Sequence, residues 1–102
     1  MREEYENSSI SSISVFELYA GATDEKKITD IQSLLKWFDV LDFDKEIGEM
    51  AGKNYLIMKK LNNVIDFRDL FIGTTAVFYN LRIATLNTSH FESIPTIQIL
   101  KL

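Results

Sequence analysis

Residues 66–91, DFRDLFIGTTAVFYNLRIATLNTSHF, decide the fold predicted for this chain. Asp66 is a short hydrogen-bond acceptor placed before a mainly apolar run. It predicts a helix that begins at the next residue and carries Asp69 in its first turn. The small residues at positions 73–76 predict that this helix packs closely on a sheet. Residues 82–86, RIATL, predict a buried strand, so the stretch is a helix followed by a strand.

Polar side chains follow the end of that strand. Asn87 and His90 lie just after it, and Thr85 lies inside it. Ligands of open α/β sheets bind at the carboxyl ends of the strands, so Asp69 and Asn87 are the first candidates for a site. Each residue also has a simpler explanation. An acid is favoured in the first turn of any helix, His90 suits a hydrogen-bonding surface position, and Thr85 suits a strand.

A second candidate acid lies near the start of the chain. Residues 10–15, ISSISV, alternate apolar residues with Ser and predict a short strand. Ser14 and Glu17 match the S-x-x-E capping box and predict that a helix begins at Ser14. Glu17 is then explained as a carboxylate that bonds the Ser14 amide. The alternative is that Glu17 follows a strand end and faces the same carboxyl edge as Asn87.

The rest of the chain also alternates strands with helices. Asp24 and Asp44 each predict a helix start. Residues 40–43 and 96–100 predict two further strands, whereas the polar residues 1–9 predict a loop or a frayed helical turn. The order predicts a single α/β domain in which helices cover a mostly parallel sheet. Apolar residues follow at helical spacing in the first of the two middle helices, at Ile28, Ile31, Leu34, Leu35 and Phe38. The predicted buried face of the second consists of Ile47, Ala51, Tyr55, Met58 and Leu61.

The composition is that of one ordinary globular domain, with 102 residues, 46% hydrophobic and 25% charged. Cys is absent and His occurs once, so any metal would be held by oxygen ligands, which favours Mg²⁺ or Mn²⁺ over zinc. No run reaches the ~18 apolar residues of a membrane span, and the first residues lack a signal segment. These features fit a cytoplasmic protein. The formal charge of −4 argues against a tight non-specific grip on nucleic acid but leaves an RNA substrate possible through a metal ion.

The two candidate acids suggest one chemistry. Glu17 and Asp69 are each predicted near a helix start on the same side of a parallel sheet. Carboxylates that share a site repel each other, and a hard divalent cation removes that penalty. Such a site can activate water and stabilise an in-line displacement at phosphorus. The sequence contains no Gly-rich phosphate loop, Ser-His-Asp set or zinc motif that would compete with this interpretation.

Three segments, in order, resemble the PIN-domain ribonucleases, and most closely the VapC toxins of toxin–antitoxin pairs. Residues 13–22, ISVFELYAGA, resemble the segment that carries the second acid of that family. Residues 69–76, DLFIGTTA, resemble its D-x-x-I-A-x-x-A segment, with Gly73 in place of the usual Ala. Residues 86–95, LNTSHFESIP, resemble its closing N-x-x-H/D-F-x-x-I-P segment.

The resemblance implies a PIN-like three-layer α/β sandwich and an endoribonuclease that depends on Mg²⁺ or Mn²⁺. Glu17 corresponds to the second acid of the site and Asp69 to the third. Asn87 and His90 fall where many members carry a further acid, and Thr85 falls at a small hydroxyl position near the metal. RNA is the implied substrate, a VapB-like antitoxin the implied partner, and a homodimer the implied assembly.

The sequence departs from the family at its N-terminus. Family members begin with a strand that ends in Asp-Thr or Asp-Ser, followed by a helix, and residues 1–9 supply neither the strand nor the acid. The expectation is an N-terminally truncated domain that lacks the central strand of the sheet and the first site acid. Two alternatives to a working ribonuclease therefore remain. One is a non-catalytic module that binds the antitoxin or a second copy, and the other is a small α/β protein whose acids only cap helices.

Overall fold

The computed structural model describes residues 8–102, and the expectation for residues 1–7 lies outside them. The chain divides into two compact units, one ending at Asp42 and the other running from Phe43 to Leu102. The first unit contains β1 (Ser8–Ser11), α1 (Ser12–Ala20), α2 (Glu25–Leu35) and β2 (Phe38–Leu41). The second contains α3 (Lys45–Lys60), α4 (Phe67–Phe78), β3 (Ile83–Thr85), a 3₁₀ turn (Thr88–His90) and β4 (Ile99–Lys101).

In the first unit, β1 and β2 pair in parallel, with Ile10 opposite Val40. The predicted helix start at Ser14 is wrong. The cap is Ser11, whose hydroxyl oxygen accepts the Ile13 amide at 3.1 Å, so α1 begins earlier and the predicted strand ends at Ser11. Glu17 is therefore a mid-helix residue, and the capping-box explanation for it does not hold.

The second helix begins as predicted but ends sooner. Asp24 caps α2 by accepting the Lys27 amide at 2.8 Å. Phe38 was expected to continue the apolar face of this helix. It opens β2 instead, so the edge strand predicted at residues 40–43 lies two residues earlier.

The apolar face of α3 is mostly as predicted. Asp44 caps the helix by accepting the Ile47 amide at 3.0 Å. Ile47, Ala51 and Met58 lie one or two turns apart and are at most 2% exposed. Leu61 was expected to join them but is 65% exposed, because the helix ends at Lys60 and Leu61 lies past its last turn.

The helix α4 confirms the prediction from Asp66, which is its N-cap, and Gly73, Thr74 and Thr75 are buried. These small residues were expected to face a sheet. Thr74 instead accepts a hydrogen bond from Asn54 on α3, and Gly73 faces Ile94 in the segment that joins β3 to β4.

The second strand pair, β3 and β4, is also parallel, with Ile83 opposite Ile99. Both strands are shorter than predicted from residues 82–86 and 96–100. Within residues 8–102, β1 pairs only with β2 and β3 only with β4. The α/β class with parallel strands is confirmed, and the missing central strand stays a prediction. Among these residues, no helix combines the length and apolar character that crossing a membrane requires.

The core of the second unit lies between α3, α4 and the segment before β4. Its buried members are Met58, Leu70, Phe91 and Ile94. Partly buried apolar side chains from α4 and both strands surround them. Two of these core residues, Leu70 and Phe91, directly follow candidate site residues in the chain, which places the site on the surface of the core.

Candidate functional site

The start of α4 presents two acids in different environments, and Asp66 is the more exposed of them. Its Oδ1 atom accepts the Arg68 amide at 2.8 Å and the Arg68 Nε at 3.3 Å. These hydrogen bonds from the Arg68 side chain and backbone hold the pKa of the Asp66 carboxyl below its usual value. Asp66 therefore caps the helix and forms hydrogen bonds with Arg68.

Asp69 lies one turn further on and is more enclosed, with a side chain that is 23% exposed. Its Oδ2 lies 3.5 Å from Nδ1 of His90, whose side chain is 54% exposed. Partial burial raises the pKa of the Asp69 carboxyl, and the nearby His90 opposes that rise. A carboxylate that pays a desolvation penalty gains from any cation that approaches it, so Asp69 is suited to bind one.

His90 belongs to a short turn held by its own hydrogen bonds. The Thr85 hydroxyl accepts the Asn87 amide at 3.0 Å where β3 ends. The His90 amide donates to the Asn87 carbonyl at 3.1 Å, and the Phe91 amide donates to the Thr88 carbonyl at 3.0 Å. Thr85 and Asn87 thus shape the turn that presents His90, and Asn87 is exposed.

Glu17, the other predicted ligand, lies on α1 in the first unit, where its side chain is half-buried. Its predicted partnership with Asp69 stays a prediction, because the two residues belong to different units. Of the six predicted site residues, the structure brings Asp69 and His90 into contact and joins Thr85 to Asn87 through the turn.

Sequence reasoning placed Asp69 and His90 in one region but did not predict that their side chains are in contact. The two residues are far apart in the chain, so no helical or strand spacing links them. It also overlooked Arg68 as the partner of Asp66. Their separation by two residues at a helix start is a local signal that could have indicated it.

Next to the site, α3 and α4 line an apolar cavity of about 320 Å³. The Phe71 ring contacts two other rings there, with its centroid 4.8 Å from that of Phe43 and 6.2 Å from that of Phe67. The lining carries no acid, so the cavity itself cannot hold a metal ion. It is lined by Phe43, Gly48, Ala51, Gly52, Tyr55, Phe67, Leu70 and Phe71.

The donor chemistry fits a hydrated divalent cation and not a closed protein cage. Within residues 8–102, no three His, Cys, Asp or Glu side chains lie close enough together to form a metal site. Mg²⁺ commonly keeps several waters and uses one or two carboxylates together with substrate phosphates. Asp69 is a carboxylate of that kind, because it is partly buried and its pKa is raised by burial.

The fold and the site together describe an α/β protein with parallel strand pairs and an acid at a helix start, and many protein families share these features. Comparison with known proteins identifies the family. The family model described as "PIN domain" matches residues 2–96. The chain therefore belongs to the PIN domain family.

The chain is similar to two curated ribonucleases. It is 32% identical over 90 residues to Ribonuclease VapC1 of Methanocaldococcus jannaschii, covering 88% of this chain and 66% of that protein. It is 33% identical over 103 residues to Ribonuclease VapC of Rickettsia bellii, covering 94% of this chain and 77% of that protein. The chain thus spans about two thirds to three quarters of these relatives.

A solved structure agrees with the family assignment. VapBC-1 from nontypeable Haemophilus influenzae superimposes with a TM-score of 0.83 and 26% identity. The match covers 93% of this chain and 74% of that one. The PIN-like α/β fold predicted from the sequence is confirmed.

Proposed function

We propose that this chain is a VapC-like endoribonuclease that hydrolyses RNA phosphodiester bonds with Mg²⁺ or Mn²⁺. The observation that carries the proposal is Asp69, a partly buried acid at a helix start beside the exposed ring of His90. The curated relatives support it, because both are named ribonucleases.

Asp69 and Glu17 are the proposed ligands of the metal ion. A divalent ion held there would supply positive charge for the phosphate oxygens and would make a water bound to it more acidic. The Asp69 carboxylate is partly desolvated, and a bound cation would offset that cost. Its contact with His90 orients the carboxylate. Asp66 is a neighbour and not a ligand in this proposal, because its Oδ1 atom already accepts two hydrogen bonds from Arg68.

The remaining site residues shape the surroundings. Thr85 and Asn87 hold the turn after β3, so the exposed His90 ring stays beside Asp69. This placement makes His90 a residue that orients the site in the proposal.

The proposed partner is a VapB-like antitoxin, and the proposed assembly is a homodimer in the cytoplasm. The support for the partner is the similarity to a VapBC structure. Size-exclusion chromatography with light scattering, for the chain alone and with a co-expressed antitoxin, tests both expectations. A monomer that forms no complex would contradict them.

The function is tested by RNA cleavage with Mg²⁺ or Mn²⁺, using Asp69→Asn and a matched control. Asp66→Asn is the control, because it also neutralises an acid in the same helix start and Asn still caps a helix. Asp69→Asn is expected to lose cleavage by about 100-fold or more, which corresponds to about 2.7 kcal/mol of transition-state stabilisation. Asp66→Asn is expected to keep it.

The outcome also separates the alternatives left by the sequence. Cleavage that survives Asp69→Asn removes Asp69 from the mechanism. The wild-type chain could instead cleave no RNA, bind no Mn²⁺ in calorimetry and still form a stable antitoxin complex. That result would contradict the ribonuclease hypothesis and favour a non-catalytic binding module. Glu17→Gln is expected to weaken cleavage as Asp69→Asn does, and unchanged cleavage would remove Glu17 from the proposed ligands.

A further inference from the structure

Two atoms that can both bind a metal ion face each other at the candidate site. Oδ2 of Asp69 lies 3.5 Å from Nδ1 of His90. An N–H···O hydrogen bond spans about 2.7–3.2 Å, so this separation is longer than such a bond. Two ligand atoms that each lie about 2.0–2.2 Å from one ion, at an angle of roughly 90–110°, are about 2.8–3.6 Å apart. The separation of the two atoms therefore falls in the range expected for ligands of the same ion.

The backbone that carries the two side chains is held by the core. Leu70 follows Asp69 and Phe91 follows His90, and both apolar side chains lie in one buried cluster, at 2% and 8% exposure. The His90 amide also donates to the Asn87 carbonyl at 3.1 Å, which holds the turn. Ligand atoms that are already close together lose less conformational freedom when the ion binds, so this arrangement favours binding.

The pair is accessible from the solvent. The side chain of His90 is 54% exposed and that of Asp69 is 23% exposed. When Nδ1 of a histidine binds a metal ion, the other ring nitrogen carries the proton and donates it to a protein group or to water. The exposed ring of His90 leaves water available for that hydrogen bond. The remaining positions around the ion would be taken by water, a further carboxylate or a substrate phosphate.

An imidazole nitrogen changes which ion such a site prefers. Mg²⁺ takes oxygen ligands and gives up its bound waters reluctantly. Divalent ions of the first transition row accept imidazole more readily, and their affinity for nitrogen-containing sites rises from Mn²⁺ to Co²⁺ and Ni²⁺. A site with one carboxylate and one imidazole should therefore bind Mn²⁺ more tightly than Mg²⁺.

We infer that His90 is a direct ligand of the divalent ion: its Nδ1 atom and a carboxylate oxygen of Asp69 bind the same ion, and this makes Mn²⁺ the preferred ion of the site. The inference rests on the metal site of the proposed function. It goes further because it selects between the two ions and gives His90 a role beyond orienting Asp69. Ion binding can be measured without any activity.

The sequence supplies a direct probe of this coordination, because His90 is the only histidine. In pulsed electron paramagnetic resonance, a nitrogen bound directly to Mn²⁺ modulates the spin echo of the ion. The full chain without a histidine tag is loaded with Mn²⁺ at a concentration that calorimetry shows to be saturating. The wild-type chain is expected to show imidazole nitrogen modulation, which His90 alone can supply.

His90→Asn is the sharpest variant, because the Oδ1 atom of an asparagine side chain lies as many bonds from the backbone as Nδ1 of histidine. It replaces a nitrogen ligand by an oxygen ligand with the same reach. The nitrogen modulation should disappear, and Mn²⁺ affinity should fall by about 10-fold or more, since losing even an outer partner of a metal site costs that much. Mg²⁺ affinity should change much less. Ser89→Ala alters the exposed neighbour in the same turn and should leave the modulation and both affinities unchanged.

Several results would overturn the inference. One is a wild-type chain that binds Mn²⁺ without nitrogen modulation, and another is a wild-type chain that binds no Mn²⁺. Equal losses of Mn²⁺ and Mg²⁺ affinity in His90→Asn would also overturn it, because a residue that only orients Asp69 affects both ions alike. Circular dichroism checks that the variants are folded, and if His90→Asn does not fold, the modulation in the wild-type chain decides.

RNA cleavage separates this inference from the proposed function. A wild-type chain that shows nitrogen modulation from bound Mn²⁺ but cleaves no RNA contradicts the proposed function and supports His90 as a ligand. A chain that cleaves RNA with Mn²⁺ but shows no nitrogen modulation supports the proposed function and removes His90 from the ligands.

Discussion

Thr74 on α4 offers a sharp test of how the second unit is packed. Its side chain is 0% exposed, and its hydroxyl oxygen accepts a hydrogen bond from Nδ2 of Asn54 on α3 at 3.4 Å. Asn54 is itself only 8% exposed. Thr74→Val keeps the shape of the side chain but removes the acceptor, so a polar group inside the protein loses its partner.

The magnitude follows from the geometry. Leaving a buried donor unsatisfied costs about 1–3 kcal/mol. The bond of 3.4 Å is longer than the ~2.9–3.0 Å typical of N–H···O bonds, so the loss should lie at the lower end, at about 1 kcal/mol. For a domain of this size, that corresponds to a fall in melting temperature of roughly 4–8 °C.

Thr75 provides the matched control. It is the next residue of the same helix and is 1% exposed, but its hydroxyl donates to the Phe71 carbonyl of its own helix at 2.7 Å. That carbonyl keeps its backbone hydrogen bond when the hydroxyl is removed. Thr75→Val is therefore expected to change stability by less than about 0.5 kcal/mol.

The assay is urea or thermal unfolding of the two variants and of the double variant Thr74→Val with Asn54→Leu. Replacing both partners by apolar side chains removes the unsatisfied group, so the double variant should recover part of the loss. Equal effects of Thr74→Val and Thr75→Val would refute the reasoning. An increase in stability on Thr74→Val alone would refute it too.

Three further predictions concern a helix cap, the core and the site. Asp44→Ala removes the cap of α3 and should cost about 1 kcal/mol in urea unfolding, whereas Asp44→Asn keeps a capping oxygen and should change little; equal losses would contradict the cap. Met58 is 1% exposed, so Met58→Ala should lower the free energy of unfolding by about 2–5 kcal/mol, whereas Leu61→Ala, at a residue that is 65% exposed, should lower it by about 0.5 kcal/mol or less. Similar losses in the two variants would contradict the assignment of Met58 to the core. Burial raises the pKa of Asp69 in the folded state, so its contribution to stability is fully present below its unfolded pKa and is lost as the pH rises through the folded one. Asp69→Asn should therefore gain stability relative to wild type as the pH rises from below 3.8 towards neutral in unfolding measurements, and a constant or reversed difference would contradict the assigned cause.

The helix starts at Asp24, Asp44 and Asp66 could be predicted because capping is local. In each case the carboxylate accepts an amide two or three residues later, and that spacing is visible in the sequence. The start of α1 was mispredicted because several serines in this segment could act as a cap. Pairing of β1 with β2 keeps the chain extended as far as Ser11, and this long-range contact selects Ser11 over Ser14.

In the candidate site too, the local features could be predicted from the sequence and the long-range contacts could not. Asp69 could be predicted because its position in the first turn of a helix is a local property. Its contact with His90, and the packing of Gly73 against Ile94, depend on segments that meet only in the folded chain. No pattern of local spacing encodes such contacts, so they became visible only in the structure.

The central claim is that Asp69 contributes to a divalent-metal site beside His90. Mn²⁺ tests it directly, because the paramagnetic ion broadens the NMR signals of nearby protons and His90 lies 3.5 Å from the Asp69 carboxylate. Titration of the full chain with Mn²⁺ is expected to broaden the single histidine signal at low metal concentration. The effect should persist in Asp66→Asn and be lost in Asp69→Asn. A histidine signal that stays sharp in the wild-type chain, or that broadens equally in Asp69→Asn, would contradict the claim.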